Sequence, residues 1–455
     1  MEVGCEETMA FRKNSLMKHG ELAPRVETPL RRATENTAPV AGEIPGDLLH
    51  SLSRQAEIIP LADADAWHQV EDMADRICQR LDSPAQIKRL DSRLQRPTES
   101  WPLGARIATR LAHSRKALQW LRKPVHLSVV IPLFSERRRL LSPADHPLGE
   151  AWLSRKIAQL EWLFGNRKDH SWDMVLVDDG CPEGSGHLVR EALETHHPEV
   201  RARVLFLEEA LRHKHPALNG LKSAAESRKG GAVQLGLWEA ARLKAPGHVV
   251  LYTDADLSTH LGQAGLLIKS LRKPGILMAA GSRRSTSSIV VKDGYRQDRG
   301  RLFIYLWKQL VPQLAYLDDT QCGFKAVRPE VIFDLVSRAQ EHGFAADFEL
   351  LAHCENRSPR SIDAVPIAWI DSPAASTTTA EDPYLSMLRS IEKLSRTCFQ
   401  RTQEAEAFAR QISSLTQAGW QTAVETVGPQ LQNIPPAMDL SHKVLSPRDL
   451  EFASS

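Results

Sequence analysis

The sequence predicts an α/β protein, an open, mostly parallel sheet flanked by helices and preceded by a helical N-terminal extension. Three observations carry this. Between Pro124 and about residue 285, short apolar runs of strand length alternate with longer helical stretches. The runs are near-continuous rather than alternating, as in strands buried on both faces. The helical stretches between them are the crossovers that parallel neighbours require.

The strands are expected at 127–131, 174–177, 204–207, 248–252 and 276–280. Ahead of them, residues 1–55 are polar, carry Pro24, Pro29, Pro39 and Pro45, and keep no apolar period, which predicts a disordered tail. Residues 56–122 show helical spacing, with Trp67, Val70, Met73, Ile77 and Leu81 in one stretch and Ile107, Leu111, Leu118 and Leu121 in another. The sheet domain then occupies 123–395. A C-terminal helical segment and tail follow over 396–455.

Composition narrows the function classes. The 455 residues are 42% apolar and 25% charged, which excludes collagen-like and wholly disordered chains. Lys and Arg total 58 against 56 Asp and Glu, a net charge of +2, so no nucleic-acid partner is expected. The six cysteines lie far apart without a C-x-x-C, which speaks against a disulfide scaffold or zinc knuckle and fits a cytoplasmic protein. The N-terminus is acidic, and nowhere do 18 uncharged apolar residues run together. Neither a signal peptide nor a spanning helix is expected, and any membrane contact would be peripheral.

The chemistry concentrates at strand ends, where ligands of open α/β sheets sit. The run at 174–177 leads into Asp178-Asp179-Gly180, and the run at 248–252 into Thr253-Asp254-Ala255-Asp256. Paired acids repel one another unless a cation or hydrogen-bond donors compensate them. The i, i+2 spacing of Asp254 and Asp256 lets both carboxylates face one hard cation, Mg2+ or Mn2+, whose shell commonly includes phosphate oxygens. The structural alternative is that these acids cap the following helix. Asp63-Ala64-Asp65 repeats the tripeptide without a buried strand before it, and is assigned to capping.

Farther on, Gly281-Ser282-Arg283-Arg284 opens a basic stretch that continues through Lys292, Arg296, Arg299, Arg301 and Lys308. Arginine forks match phosphate oxygens, though a solvated helix face reads the same way. The stretch 302–317 is rich in aromatics and fits a helix packed on the sheet better than a membrane-interface segment. Asp347 and Glu349 stand in the first turn of a predicted helix, where the dipole favours acids. One of them would also suit a proton acceptor facing the ligand crevice.

The ordered segments resemble the family-2 glycosyltransferases of GT-A fold, and within them the dolichyl-phosphate and polyprenyl-phosphate β-glucosyltransferases. The resemblance rests on Ser128-Val129-Val130-Ile131-Pro132, Val175-Leu176-Val177-Asp178-Asp179-Gly180, Lys229-Gly230-Gly231-Ala232-Val233, Tyr252-Thr253-Asp254-Ala255-Asp256-Leu257-Ser258-Thr259, Gly281-Ser282-Arg283, Asp319-Thr320-Gln321-Cys322-Gly323-Phe324-Lys325 and Asp347-Phe348-Glu349-Leu350-Leu351. It covers 125–395 and neither end.

What the resemblance implies is a metal-dependent, inverting transfer of a hexose from a nucleoside-diphosphate sugar, with UDP-glucose favoured, to a polyprenyl phosphate or a hydroxyl. Pro132, Glu136, Asp178, Asp179, Lys229, Gly230 and Asp254 would bind the nucleotide sugar. Asp254 and Asp256 would hold Mg2+ or Mn2+, Arg283, Arg296 and Arg299 would contact donor or acceptor phosphate, and Asp347 would be the base or would position the acceptor. The family's Asn-Glu-Glu after the first strand is reduced here to Glu136, and the stretch 208–228 is longer than usual. Alternative readings are a non-catalytic nucleotide-sugar-binding protein and a nucleotidyltransferase. The latter lacks its Gly-rich basic loop after the first strand.

Overall fold

The continuous apolar runs become the middle of a seven-stranded sheet of order β3-β2-β1-β4-β7-β5-β8. In the computed structural model, which describes residues 44–96, 98–165, 167–292, 297–372, 383–432 and 444–453, the strands are β1 (Val125–Leu133), β2 (His170–Asp178), β3 (Ala202–Phe206), β4 (Val249–Thr253), β5 (Met278–Ser282), β6 (Ile289–Val291), β7 (Phe324–Val327), β8 (Ile362–Pro366) and β9 (Ala368–Ile370). β3, β2, β1 and β4 run parallel in that order, as expected. β7 enters between β4 and β5 and is antiparallel to both, while β8 is parallel to β5. β6 and β9 form a separate parallel pair.

Alternate residues of each strand serve two cores. Val130, Val175, Val177, Val250 and Tyr252 face one core, and Val129, Ile131, Met174, Leu176 and Leu251 face the other. On the first face lie helices Gly230–Ala241, Gln297–Leu310, Ala346–Arg357 and Tyr384–Cys398, with the C-terminal helices carrying Phe408 and Trp420. On the second lie the helices of the N-terminal extension, Ala64–Arg80, Pro84–Leu94 and Leu103–Gln119, together with Trp152–Phe164. The extension and the C-terminal segment are thus outer layers of one unit spanning Ile44–Ser455.

Local signals account for the extension. Asp63 caps Ala64–Arg80 by accepting from the Ala66 amide at 3.0 Å. Ser83 and Gln86 close a capping box ahead of Pro84–Leu94. Arg110, buried and paired with Asp91, donates to the carbonyls of Pro366 and Ser287 at 2.7 Å each, tying the extension to β8 and the loop before β6.

One expectation is corrected and one is met. The expected tail of 1–55 ends earlier, because Gly46–Ser53 is a helix that buries Leu48 and Leu52; residues 1–43 lie outside the described residues. The 302–317 aromatics are not an interfacial face. Phe303, Tyr305 and Trp307 are all buried in the first core.

Candidate active site

The ends of β1, β2 and β4 and the start of β7 bring the predicted acids to one rim. Asp178 and Asp179 are adjacent in sequence and take different partners. Asp178 accepts from the backbone amides of Cys181 at 2.8 Å and Gly186 at 2.6 Å, one to each oxygen. The capping alternative therefore holds at Asp178, each of whose oxygens takes one backbone amide. Asp179 accepts from the Ser227 hydroxyl and from the Lys229 amide at 2.8 Å. Burial pushes its carboxyl up to about 6, against the pull of those hydrogen bonds.

Lys229 connects the two acid loops. Its amide serves Asp179, while its ammonium lies against Asp254 and 4.0 Å from Asp347. The neighbouring charges of Asp254 and Asp347 raise its pKa despite the opposing effect of burial. The Lys229 and Asp254 side chains remain 31% and 41% exposed, so this pair opens to solvent. Gly230 packs close, but to its own chain. A Cβ there would meet the His342 carbonyl and the Ala346 methyl at 2.6 Å, so the glycine is needed to seat the helix.

The Asp256 side chain is more buried than that of Asp254, 15% against 41% exposed. Its Oδ1 accepts from the Ser258 amide at 3.0 Å and its Oδ2 lies 3.9 Å from Arg139. Burial and then the charge of Asp254 raise its pKa, with Lys156 and Arg139 opposing. Glu136 is buried beside it, paired with Arg139 at 2.5 Å and pushed up by burial to about 7. Glu136 thus faces Asp256 inside the protein. Pro132 is a buried member of β1, opposite Val177.

Asp347, at the start of helix Ala346–Arg357, is held by Lys325, at 2.6 Å, and by the Tyr252 hydroxyl. Burial alone would raise its pKa, but Lys325 and Lys229 hold the carboxyl below the usual range. Glu349 is sealed elsewhere, accepting from the amides of Gln340 and Glu341. Of the two acids, Asp347 is the one near Lys229 at the rim.

Arg283 is turned onto Asp319. Its Nε and Nη2 donate at 2.7 and 2.8 Å, and its amide adds a third bond at 2.9 Å. Two of its nitrogens are thus engaged by the buried carboxylate of Asp319. Arg296 and the side chain of Arg299 lie outside the described residues.

Sequence reasoning assigned no role to Lys325, Tyr252, Ser227, Arg139 or Lys156. Lys156 carried a signal, since it sits on the apolar stripe of Trp152, Leu153, Ile157 and Leu160. It is fully buried, and burial pulls its pKa down to about 8.

Asp254 and Asp256 offer carboxylate oxygens suited to Mg2+ or Mn2+, and the rise in Asp256 pKa caused partly by Asp254 is like-charge strain that a cation would relieve. Among the described residues, no group of three His, Cys, Asp or Glu is arranged to hold a metal, so phosphate oxygens would have to complete the shell.

No family model matches the chain. It is 28% identical over 256 residues to a dolichyl-phosphate beta-glucosyltransferase of Drosophila melanogaster, covering 54% of this chain and 68% of that protein. To one from Trichomonas vaginalis it is 26% identical over 251 residues, covering 54% and 66%. The match thus spans about two thirds of these relatives and about half of this chain. Glucosyl-3-phosphoglycerate synthase of Mycobacterium tuberculosis superposes with a TM-score of 0.41 at 17% identity, over 65% of this chain and 87% of that one, a likeness that bears on neither substrate nor mechanism. By its curated relatives and by the order of its strand-end motifs, the chain is similar to the dolichyl-phosphate beta-glucosyltransferases and resembles the family-2 glycosyltransferases of GT-A fold.

Proposed function

We propose that this protein transfers a hexose from a nucleoside-diphosphate sugar, UDP-glucose being favoured, to a polyprenyl phosphate, with inversion and with a divalent cation. The observation that carries the reading is the meeting of Asp179, Lys229, Asp254 and Asp347 at one rim of the sheet. Lys229 lies where it can bind a diphosphate, and Asp254 is open to ligand. Mg2+ or Mn2+ held by Asp254 and Asp256 would offset the charge that grows on the leaving diphosphate.

The state of Asp347 bears on the acceptor. A carboxylate held below its usual range by Lys325 is a weak proton acceptor, which disfavours deprotonation of a hydroxyl. A phosphate acceptor arrives ionised and needs no base, so the polyprenyl phosphate is preferred and Asp347 positions it through its lysines. The relatives' names, dolichyl-phosphate beta-glucosyltransferase, support that choice. Such an acceptor is membrane-borne, and the reading therefore includes peripheral contact with a bilayer. Among the described residues no helix is long and apolar enough to cross one.

The test is thermal unfolding with a panel of UDP- and GDP-sugars, with and without Mn2+, because a ligand of the folded state raises the midpoint. Transfer from the best donor to polyprenyl phosphate is then assayed. A donor that stabilises but never turns over, with lipid phosphate or with a hydroxyl acceptor, would leave a binding protein instead.

A further inference from the structure

The loop that leaves β4 carries Asp254 and Asp256 and ends at His260, and it is there that the N-terminal extension reaches it. His260 is buried. Its Nδ1 lies 2.9 Å from the Gly262 amide, and because an amide only donates, Nδ1 is the acceptor and Nε2 carries the proton. That Nε2–H points at Glu71, 3.0 Å away on helix Ala64–Arg80. One turn earlier on the same helix, Trp67 stacks on the imidazole, with ring centroids 5.2 Å apart and planes inclined by 26°. Trp162 closes the ring from its edge at 6.2 Å, and Gln159 accepts from the next amide, Leu261, at 2.9 Å. The far end of the same stretch is fixed by the Ile370 amide, which donates to the Ser258 carbonyl at 3.0 Å. The Ser258 amide in turn holds Asp256.

We infer that the N-terminal helical extension is a working part of the donor site: Glu71 and Trp67 clamp His260 and so set the loop that presents Asp254 and Asp256. All three are positioning residues, since none touches the rim itself. The extension lies outside the 125–395 stretch that carries the family's motifs, so the clamp belongs to this chain's own architecture. Its chemistry is specific. Glu71 needs only an acceptor oxygen toward a neutral imidazole, so Gln at that position can replace it, whereas Ala cannot. The loop is short, and besides the His260 clamp it is held by the Ile370–Ser258 backbone bond, by Gln159 at Leu261 and by the partly solvated Lys229–Asp254 pair. Release of His260 frees its C-terminal anchor and lets the two carboxylates drift from their common ligand, and small misplacements of a binding group are costly.

The inference rests on the donor-site reading, and the experiment separates the two. Full-length wild type, Glu71→Ala, Glu71→Gln and Trp67→Leu are compared by Mn2+ paramagnetic resonance in the presence of UDP, by hydrogen exchange over residues 254–262, and by thermal unfolding. The expected result for Glu71→Ala is faster exchange in that loop and about 10-fold weaker Mn2+ binding, with Glu71→Gln restoring most of both. A fall in unfolding temperature with unchanged loop exchange and unchanged Mn2+ affinity would make Glu71 a packing residue only and overturn the inference. Should Glu71→Ala not fold, Glu71→Gln and Trp67→Leu still decide it. Near-wild-type exchange and affinity in Glu71→Gln, with both disturbed in Trp67→Leu, support the clamp; no disturbance in Trp67→Leu overturns it. If wild type binds neither Mn2+ nor UDP nor GDP, the donor-site reading falls, while loop exchange still reports whether Glu71 holds His260.

Discussion

Lys229 and Asp254 form an ion pair across two loops of the rim, and the same lysine gives its backbone amide to Asp179. One residue thereby joins the acids that follow β2 to the acids that follow β4. Because the pair is partly solvated, it is weak and exchangeable, unlike the buried pairs around it. Lys229→Met is expected to weaken binding of a nucleoside diphosphate about 10-fold, read by titration calorimetry with UDP and GDP. Unchanged affinity for both would place the diphosphate elsewhere.

Asp256→Ala removes a carboxylate whose raised pKa reflects burial and the charge of Asp254. Donor turnover with saturating Mg2+ or Mn2+ is expected to fall on the order of 1000-fold, as for loss of a group that stabilises developing charge. Near-normal turnover would take the cation out of the reaction.

Lys325 is fully buried and its ammonium is divided between Asp347 and the Cys322 carbonyl. Lys325→Met strands a buried carboxylate, and urea unfolding should show a loss of about 3–5 kcal/mol. The double variant Lys325→Met/Asp347→Leu should lose less than the sum of its parts, because it leaves no charge unpaired. Additive losses would show that the two side chains do not depend on each other.

At the opposite end of the strands, His248 accepts the hydroxyl of Ser128 at 3.0 Å or donates to it, beside His126 and Asp173. Burial and then the charge of His126 lower the His248 pKa. Below its ordinary value near 6.5 the unfolded chain takes up a proton that the folded chain refuses, so stability is complete above that pH and declines as pH falls through it. The slope from this one group is at most about 1.4 kcal/mol per pH unit. Urea midpoints measured from pH 7.5 to 5.5 should decline in wild type and less steeply in His248→Gln; equal slopes would exonerate His248.

Much of this was legible. β1, β2 and β4 are central, and the stretches 129–131, 174–177 and 249–252 within them are buried and apolar, so they stand out as runs. β7 was not, because it is four residues long and contains Lys325, whose burial depends on a carboxylate 22 residues away. The short edge strand β8 mixes half-buried and buried positions and gives no run either. At the rim, residue spacing identified the acids but not their partners. Nothing in Asp178-Asp179 says that one carboxylate caps a backbone turn while its neighbour meets Lys229, since Ser227 and Lys229 arrive from a distant loop. The pairing of Arg283 was hidden for the same reason: a free fork and a fork closed on Asp319 have identical sequence signatures.

The reversal of β7 changes which part of the chain serves the rim. A parallel strand delivers the residues that follow it, whereas β7 delivers those that lead into it: Asp319 to the Arg283 fork, and Gly323, where a Cβ would meet the Asp254 carboxylate at 2.2 Å. The peptide before Phe324 is therefore a shim against the Asp254 turn, one whose thickness is set by the absence of a side chain. The constraint at this strand thus falls on the residues ahead of Phe324, a polarity opposite to that of the parallel strands around it.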